Sequence, residues 1–307
     1  MNDRGMGVVR RYAGLPLHGW LGLGLVAVCW PLDWLLPGMR TMFLFFPLWL
    51  GYILTVDALV WCCRRSSLLT RSLARGGLGS FAMLFVLSAV AWWLFEFVNY
   101  RTQNWHYLGR EEIPDLVYAV LASLAFSTVI PAVFESAALV RNLPWVERMG
   151  RGPRIGPSRR TRLILLASGV VMFTLVMSWP AYFYPLVWGS AYCILEPVNA
   201  WLGKRTLLDD LRSGDWRPVV ALGLGALLCG FFWEMWNYYS YPKWVYHTPG
   251  VEFLYVFEMP LLGFIGYIPF ALELYALYHL LRWRAFEVDL SSTKRPPVRV
   301  GARRARD

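Results

Sequence analysis

The chain has 307 residues, 57% hydrophobic and 17% aromatic, with only 16% charged and a formal net charge of +10. A soluble domain carries about 25% charged residues, so this composition excludes an ordinary water-soluble globular protein and points to an integral membrane protein. The basic excess lies in segments that flank apolar runs, where it sets orientation and meets anionic lipid headgroups. A lipid bilayer, and no nucleic acid, is therefore the expected partner.

Eight runs reach the roughly 20 apolar residues that a membrane helix needs. They cover 17–36, 42–63, 79–100, 116–140, 163–181, 183–203, 218–238 and 253–281. The expected fold is all-α and polytopic. Arg4, Arg10 and Arg11 precede the first run in the manner of a signal peptide, but no small-residue cleavage site follows, so that run reads as a retained helix. The second run holds Asp57, the sixth Glu196 and Pro197, and the last Pro260 and Pro269, which predict a tilt or kink. Eight helices put both termini on one side. The loops 64–78, 141–162 and 204–217, with the two ends, contain 26 of the 30 Lys and Arg residues; the opposite side has Arg40, Arg101, Arg110 and Lys243. By the positive-inside rule both termini are cytoplasmic, and a bacterial plasma membrane is the expected location.

The chain divides into a first four-helix unit at 1–140, a basic linker at 141–162, a second four-helix unit at 163–281 and a basic tail at 282–307. The linker has Pro144, Pro153, Pro157 and seven arginines, and reads as a polar, poorly structured connector. The tail has Lys294, Arg295, Arg299, Arg303, Arg304 and Arg306 around Pro296 and Pro297, and reads as disordered. Cys29, Cys62, Cys63, Cys193 and Cys229 form no CxxC pair and read as small apolar fillers.

The two units repeat one another. Trp93, Glu96, Asn99, Trp105, Tyr107, Pro131 and Glu135 are followed about 138 residues later by Phe231, Glu234, Asn237, Trp244, Tyr246, Pro269 and Glu273. Trp30-Pro31 matches Trp179-Pro180, and Asp57 falls opposite Glu196. Four helices per unit make the two repeats parallel rather than inverted.

Charges within the bilayer are costly and usually face the protein interior. Asp57, Glu96, Glu135, Glu196, Glu234 and Glu273 are such residues, with Glu258 as an acid of the second copy alone. Glu96 and Glu234 fall in an outer layer; Asp57, Glu135, Glu196 and Glu273 fall in a second, inner layer. Glu96 and Asn99 share a helix face, as do Glu234 and Asn237; an acid beside an amide can hold a proton and orient a polar ligand group. Trp105, Tyr107, Trp244 and Tyr246 follow in aromatic loops, which fit either a binding site or an interfacial belt. Pro131 and Pro269 each free a backbone carbonyl that a protonated Glu135 or Glu273 can satisfy. Asp57 and Glu196 have Arg64, Arg65 and Arg205 within a couple of turns. His18, His106, His247 and His279 are not spaced as a metal cluster, and no nucleotide-binding or Ser-His-Asp pattern occurs, so neither metal nor cofactor is expected.

The segment Arg64-Arg65 through Leu73, the apolar helix with Trp93 and Glu96, Trp105-x-Tyr107, Gly109 and a last helix ending at Glu135 resembles the lycopene cyclase domain. So do Phe232-Trp233-Glu234, Trp244-x-Tyr246, Gly250, Glu258, Pro260 and Glu273 of the second copy. The family consists of small membrane units, often in two copies, that cyclise the ends of linear carotenoids without redox turnover. Here Glu111-Glu112 precede Ile113-Pro114, whereas the family's acidic pair follows its proline and leucine. Glu also replaces the family's usual Asp after the tryptophan, and each unit has four helices rather than three.

Three functions remain open. In a membrane enzyme acting on an apolar or isoprenoid lipid, Glu96 and Glu234 are the proton donor and acceptor, with Asn99, Asn237 and the four aromatics around the substrate. This predicts an apolar cavity open sideways to lipid. In a proton- or cation-coupled transporter, both acidic layers line one path; matching broken helices are not evident in the sequence. In a noncatalytic scaffold, the acids only pack. Oligomeric state is not legible.

Overall fold

Apolar sequence in a bilayer must satisfy its backbone hydrogen bonds internally, which favours helices. A computed structural model describes residues 14–282 together with Val288 and Leu290. The arginines at 4, 10 and 11 and the basic and proline residues from Lys294 to Arg306 lie outside the described residues.

Helices α1 (Leu17–Leu35), α2 (Thr41–Arg64), α3 (Leu68–Ala74) and α4 (Gly79–Thr102) are followed by strand β1 (Trp105–Leu108). Then come α5 (Asp115–Phe126), α6 (Val129–Arg141) and the single turn α7 (Pro144–Glu147). The second half contains α8 (Arg159–Ser178), the turn α9 (Pro180–Phe183), α10 (Val187–Trp201), α11 (Leu207–Leu211), α12 (Arg217–Tyr238) and β2 (Lys243–Tyr246). It closes with β3 (Tyr255–Val256), β4 (Met259–Pro260), a 3-10 segment (Leu261–Gly266) and α13 (Tyr267–Leu281).

Among the described residues, six segments are long and apolar enough to cross a membrane: α2, α4, α5 with α6, α8, α12, and the 3-10 segment with α13. The other two expected runs, at α1 and α10, are not among these six. His18, Pro31 and Asp33 dilute α1, and Pro180 and Pro185 break the approach to α10, leaving it 15 residues long.

The fold is mostly helical, as expected, with two short antiparallel ribbons added. β1 pairs with β2 in the register Trp105↔Tyr246, His106↔Val245, Tyr107↔Trp244 and Leu108↔Lys243. β3 pairs with β4, so the run at 253–281 is helical only from Leu261. The run at 116–140 is also interrupted, at Ser127–Thr128. Pro131 is the third residue of α6 and Pro269 the third of α13, so each proline sits in a first turn, where a missing N–H costs nothing. Ser88 of α4 bridges the first break: its hydroxyl donates to Phe126 O at 2.6 Å and accepts from Ile130 N at 2.9 Å.

Helix α1 packs on α2 and α8 on α10; α2 packs on α6 and α10 on α13; α6 packs on α12 and α4 on α13. The halves therefore meet through α4, α6, α12 and α13. Two close approaches need glycine. A Cβ on Gly22 would lie 2.7 Å from Gly51 O, and one on Gly225 of α12 would lie 2.4 Å from Ala137 N of α6. Small residues let membrane helices approach this closely. Only Gly169 and Val176 of α8 are buried, which places that helix on the outside.

Two peripheral segments differ from expectation. The 141–162 linker is tied down rather than loose: Gly152 N donates to Gly214 O, Ile155 N to Leu211 O, and Trp216 Nε1 to Pro153 O. Within the tail, Val288 and Leu290 are buried; Arg141 Nε donates to Leu290 O and Tyr275 OH to Val288 O.

Candidate functional site

At the end of α4 the chain turns into β1, and at the end of α12 into β2. One asparagine fastens each turn. Asn99 Nδ2 donates to Trp105 O at 2.9 Å, while its Oδ1 accepts from Asn104 N at 2.8 Å and from Trp105 N at 3.3 Å. Asn237 Nδ2 donates to Trp244 O at 2.7 Å and its Oδ1 accepts from Trp244 N at 3.0 Å. These amides are committed to backbone, which corrects the expectation that they orient a ligand. A turn from α1 to α2 braces the same region: Thr41 N donates to Tyr241 O and Tyr241 N to Thr41 Oγ1.

Trp105 and Tyr107 alternate along β1, and Trp244 and Tyr246 along β2, so each pair points to one face of its strand. That face meets the carboxyls. Glu96 Oε1 accepts from Trp92 Nε1 (2.9 Å), Trp105 Nε1 (3.0 Å) and Tyr107 OH (2.5 Å). Glu234 Oε1 accepts from Tyr246 OH (2.7 Å) and Tyr267 OH (2.6 Å), and Trp244 Nε1 donates to Tyr246 OH at 2.8 Å. Glu234 is fully buried and its Oε2 has no hydrogen-bond partner; Glu96 is half-buried.

Between the two halves lies a cavity of about 700 Å³. Its walls include Phe45, Trp92, Phe126, Trp188, Trp233 and Phe270, with Trp105, Tyr107, Trp244, Tyr246 and Tyr267 at the carboxyl side. Its polar lining is sparse: Thr41, Asn104, Arg110, Lys243 and Thr248 besides the phenols and indoles. Arg110 donates to Ile113 O, pairs with Asp115 and stacks on Tyr118 at 4.1 Å. Phe43, Leu124, Leu262 and Ile265 line the cavity and are also exposed on the helix surfaces, so it reaches the apolar exterior.

No carboxyl lines this cavity. Glu96 and Glu234 stand behind tyrosines: Tyr107, Tyr246 and Tyr267 line the cavity and donate to them. Trp92, Trp188 and Tyr267 were missed in the sequence because they lie inside uniformly apolar runs, and Trp233 was noted only as part of a motif, not as a lining residue. Aligning the copies at Glu96 and Glu234 offers the signal for two of them: Trp92 falls opposite Gly230, and Val129 opposite Tyr267.

Glu258 forms an ion pair with Lys243 and does not face the cavity. It is also not confined to one copy. Glu112-Ile113-Pro114 parallels Glu258-Met259-Pro260, and Pro114 and Pro260 precede their helices with nearly the same backbone angles, φ −57° and ψ 141° against φ −57° and ψ 140°. Glu112 accepts from Tyr241 OH at 2.6 Å, and this bond holds the Tyr241 hydroxyl above its ordinary pKa.

The second polar layer sits apart from the ribbon. Asp57, Glu135, Glu196 and Glu273 are fully buried, and none lines the cavity. Asp57 Oδ2 accepts from Leu69 N at 2.9 Å, and Glu196 Oε1 from Leu208 N at 2.8 Å. Each thus holds the first turn of the following short helix, where N–H groups lack helical partners. Capping boxes at Ser67–Thr70 and Thr206–Asp209 complete those turns. The expected arginine pairings are replaced: His18 Nε2 lies 3.1 Å from Asp57 Oδ1, Arg64 pairs with Glu147, and Arg205 pairs with Asp210. Glu273 accepts from Ala191 N at 3.0 Å rather than donating to a proline-freed carbonyl. Glu135 lies against Asp57.

Among the described residues, no group of three or more His, Cys, Asp or Glu side chains could hold a metal ion. No protein-family model, curated protein or solved structure matches the chain.

Proposed function

We propose that this is an eight-span membrane protein of two parallel repeats, with both termini in the cytoplasm of a bacterial cell, and that it acts on an apolar, isoprenoid-type lipid. The observation that carries the reading is the aromatic cavity lined by three tyrosines whose hydroxyls are each hydrogen-bonded to a carboxyl. A lipid enters sideways past Phe43, Leu124, Leu262 and Ile265. A tyrosine hydroxyl gives its proton to an alkene carbon, breaking the π bond and forming a C–H bond, while the carboxyl behind it restores the hydroxyl. The carbocation is stabilised by the faces of the surrounding indoles and phenols. Loss of a proton from a neighbouring carbon, back to the same relay, forms a new double bond. The reaction is redox-neutral and yields an isomer or a cyclised product, as the likeness to lycopene cyclases implies.

Positioned acid–base groups of this kind contribute about 10²–10⁴-fold in rate. The test is mass spectrometry of small molecules retained after gentle purification, comparing wild type with Glu96→Gln/Glu234→Gln. An isoprenoid lipid whose structure or amount changes in the double variant is the expected result. Bulk phospholipid alone in both samples contradicts the proposal.

A second reading, transport, draws on the matched interruptions at Ser127–Thr128 and Gly266–Tyr267, since discontinuous helices build many transporter sites. It requires a polar path from the cavity to Asp57 and Glu135. Proton flux in liposomes that is abolished by Glu135→Gln supports it; absence of flux refutes it.

A further inference from the structure

The two carboxyl sites have exchanged side chains in a compensating way. In the first copy α4 supplies Trp92, and the corresponding position of α12 is Gly230. In the second copy α13 supplies Tyr267, and the corresponding position of α6 is Val129. A Cβ on Gly230 would lie 2.6 Å from Cε2 of Tyr267, so the absent side chain on α12 makes room for the phenol on α13. The exchange replaces an indole N–H on one carboxyl by a hydroxyl on the other.

The chemistry of these donors differs. An indole N–H can only donate, whereas a phenol can donate or accept. Glu96 Oε1 receives two indole N–H groups and one hydroxyl. Such a shell favours a carboxylate, whose bonds to donors are charge-assisted. Glu234 Oε1 accepts from two hydroxyls, while the Trp244 indole, close to the same carboxyl, donates to Tyr246 OH. Its Oε2 is buried without a partner. As a carboxylate, Glu234 would leave a charged oxygen bare in apolar surroundings, which is costly. As a neutral acid it leaves only a carbonyl oxygen there, and either phenol can turn to accept its proton.

We infer that the copies have divided the work: Glu96 is a fixed anion, and Glu234 carries the exchangeable proton, delivered to the cavity through Tyr267 or Tyr246. This deepens the acid–base reading and rests on it. In the step, the phenol O–H breaks as the ligand C–H forms, and the Glu234 proton passes to the phenol oxygen. Glu234 becomes a carboxylate opposite the ligand cation. Deprotonation of the neighbouring carbon returns the proton by the same route. Glu96 keeps its charge throughout and opposes the cation.

Infrared difference spectroscopy of the full chain, with glutamate carboxyls isotopically labelled, tests the assignment without requiring turnover. Wild type minus Glu234→Gln shows the loss of one protonated-carboxyl carbonyl band. Wild type minus Glu96→Gln shows the loss of a carboxylate band only. The opposite pattern, or loss of a carboxylate band from Glu234→Gln, overturns the division. Gly230→Trp/Tyr267→Val, which copies the first site onto the second, converts the Glu234 band from protonated to carboxylate; an unchanged protonated band overturns the role of the exchange. Should these variants fail to fold, Tyr267→Phe still shifts the protonated band, and an unshifted band counts against the proposal. Protein that retains only phospholipid yet gives the expected bands refutes lipid chemistry while leaving the charge assignment standing.

Discussion

Buried acids stand at two places along the helices, and they differ in what faces them. In the layer away from the ribbon, Asp57, Glu196 and Glu273 accept from backbone N–H groups of Leu69, Leu208 and Ala191. Next to the ribbon, Glu96 and Glu234 accept from phenols and indoles that border a cavity. Backbone donors are fixed by the fold and cannot pass a proton on. A phenol can rotate, accept and donate. Fully buried glutamates therefore meet fixed backbone donors at Glu196 and Glu273 and rotatable phenols at Glu234. Burial alone does not separate the two roles; the partner does.

Six substitutions, in four steps of decreasing effect on stability, break or sharpen that comparison. The largest effect is expected where both regions depend on one contact. Gly225→Val pushes α12 off α6, because its Cβ would meet Ala137 N at 2.4 Å. Thermal unfolding in detergent should show loss of the folded protein, or a drop larger than the roughly 1–3 kcal/mol usual for overpacking. Next, Asp57→Leu or Glu196→Leu orphans a backbone N–H at the start of α3 or α11. That costs about 1–3 kcal/mol, read as lowered resistance to unfolding even when no lipid is bound. Asn99→Ala or Asn237→Ala frees the turn into the ribbon and should raise hydrogen exchange at Trp105 or Trp244 by about tenfold, for roughly 1.4 kcal/mol of local stability. The smallest effect on stability belongs to Tyr246→Phe, about 0.5–1.5 kcal/mol for one hydrogen bond. Its effect on lipid processing should be far larger, and that contrast separates the site from the fasteners. Equal losses of stability and processing would erase the distinction.

The acids and the four ribbon aromatics were legible because charge is rare in an apolar chain and the copies mark it twice. Trp105, Tyr107, Trp244 and Tyr246 do line one cavity, and Glu96 and Glu234 do lie beside them. Less visible was the order of the layers: phenols at the cavity, carboxyls behind. Sequence spacing places side chains on a helix face but does not say which reaches a void first. The β1–β2 ribbon escaped notice because each strand has only four residues and its partner is 138 positions away. Trp92 and Tyr267 were hidden because a compensating exchange removes both from the repeat pattern. The break before Pro131 was unseen, and the one before Pro269 showed only as the kink expected from Pro260 and Pro269, since hydropathy runs through both without change. The order of the linker came from contacts with the α11–α12 turn, which its own proline- and arginine-rich composition does not report.

The most direct test of the central claim is proton transfer itself. Wild-type protein with its co-purified lipid is incubated in D2O, and the lipid is then analysed by mass spectrometry. Acid–base chemistry through the phenol–carboxyl relay predicts deuterium at carbon in the lipid from wild type and none from Glu234→Gln. A lipid that acquires no carbon-bound deuterium from the wild-type protein would contradict it.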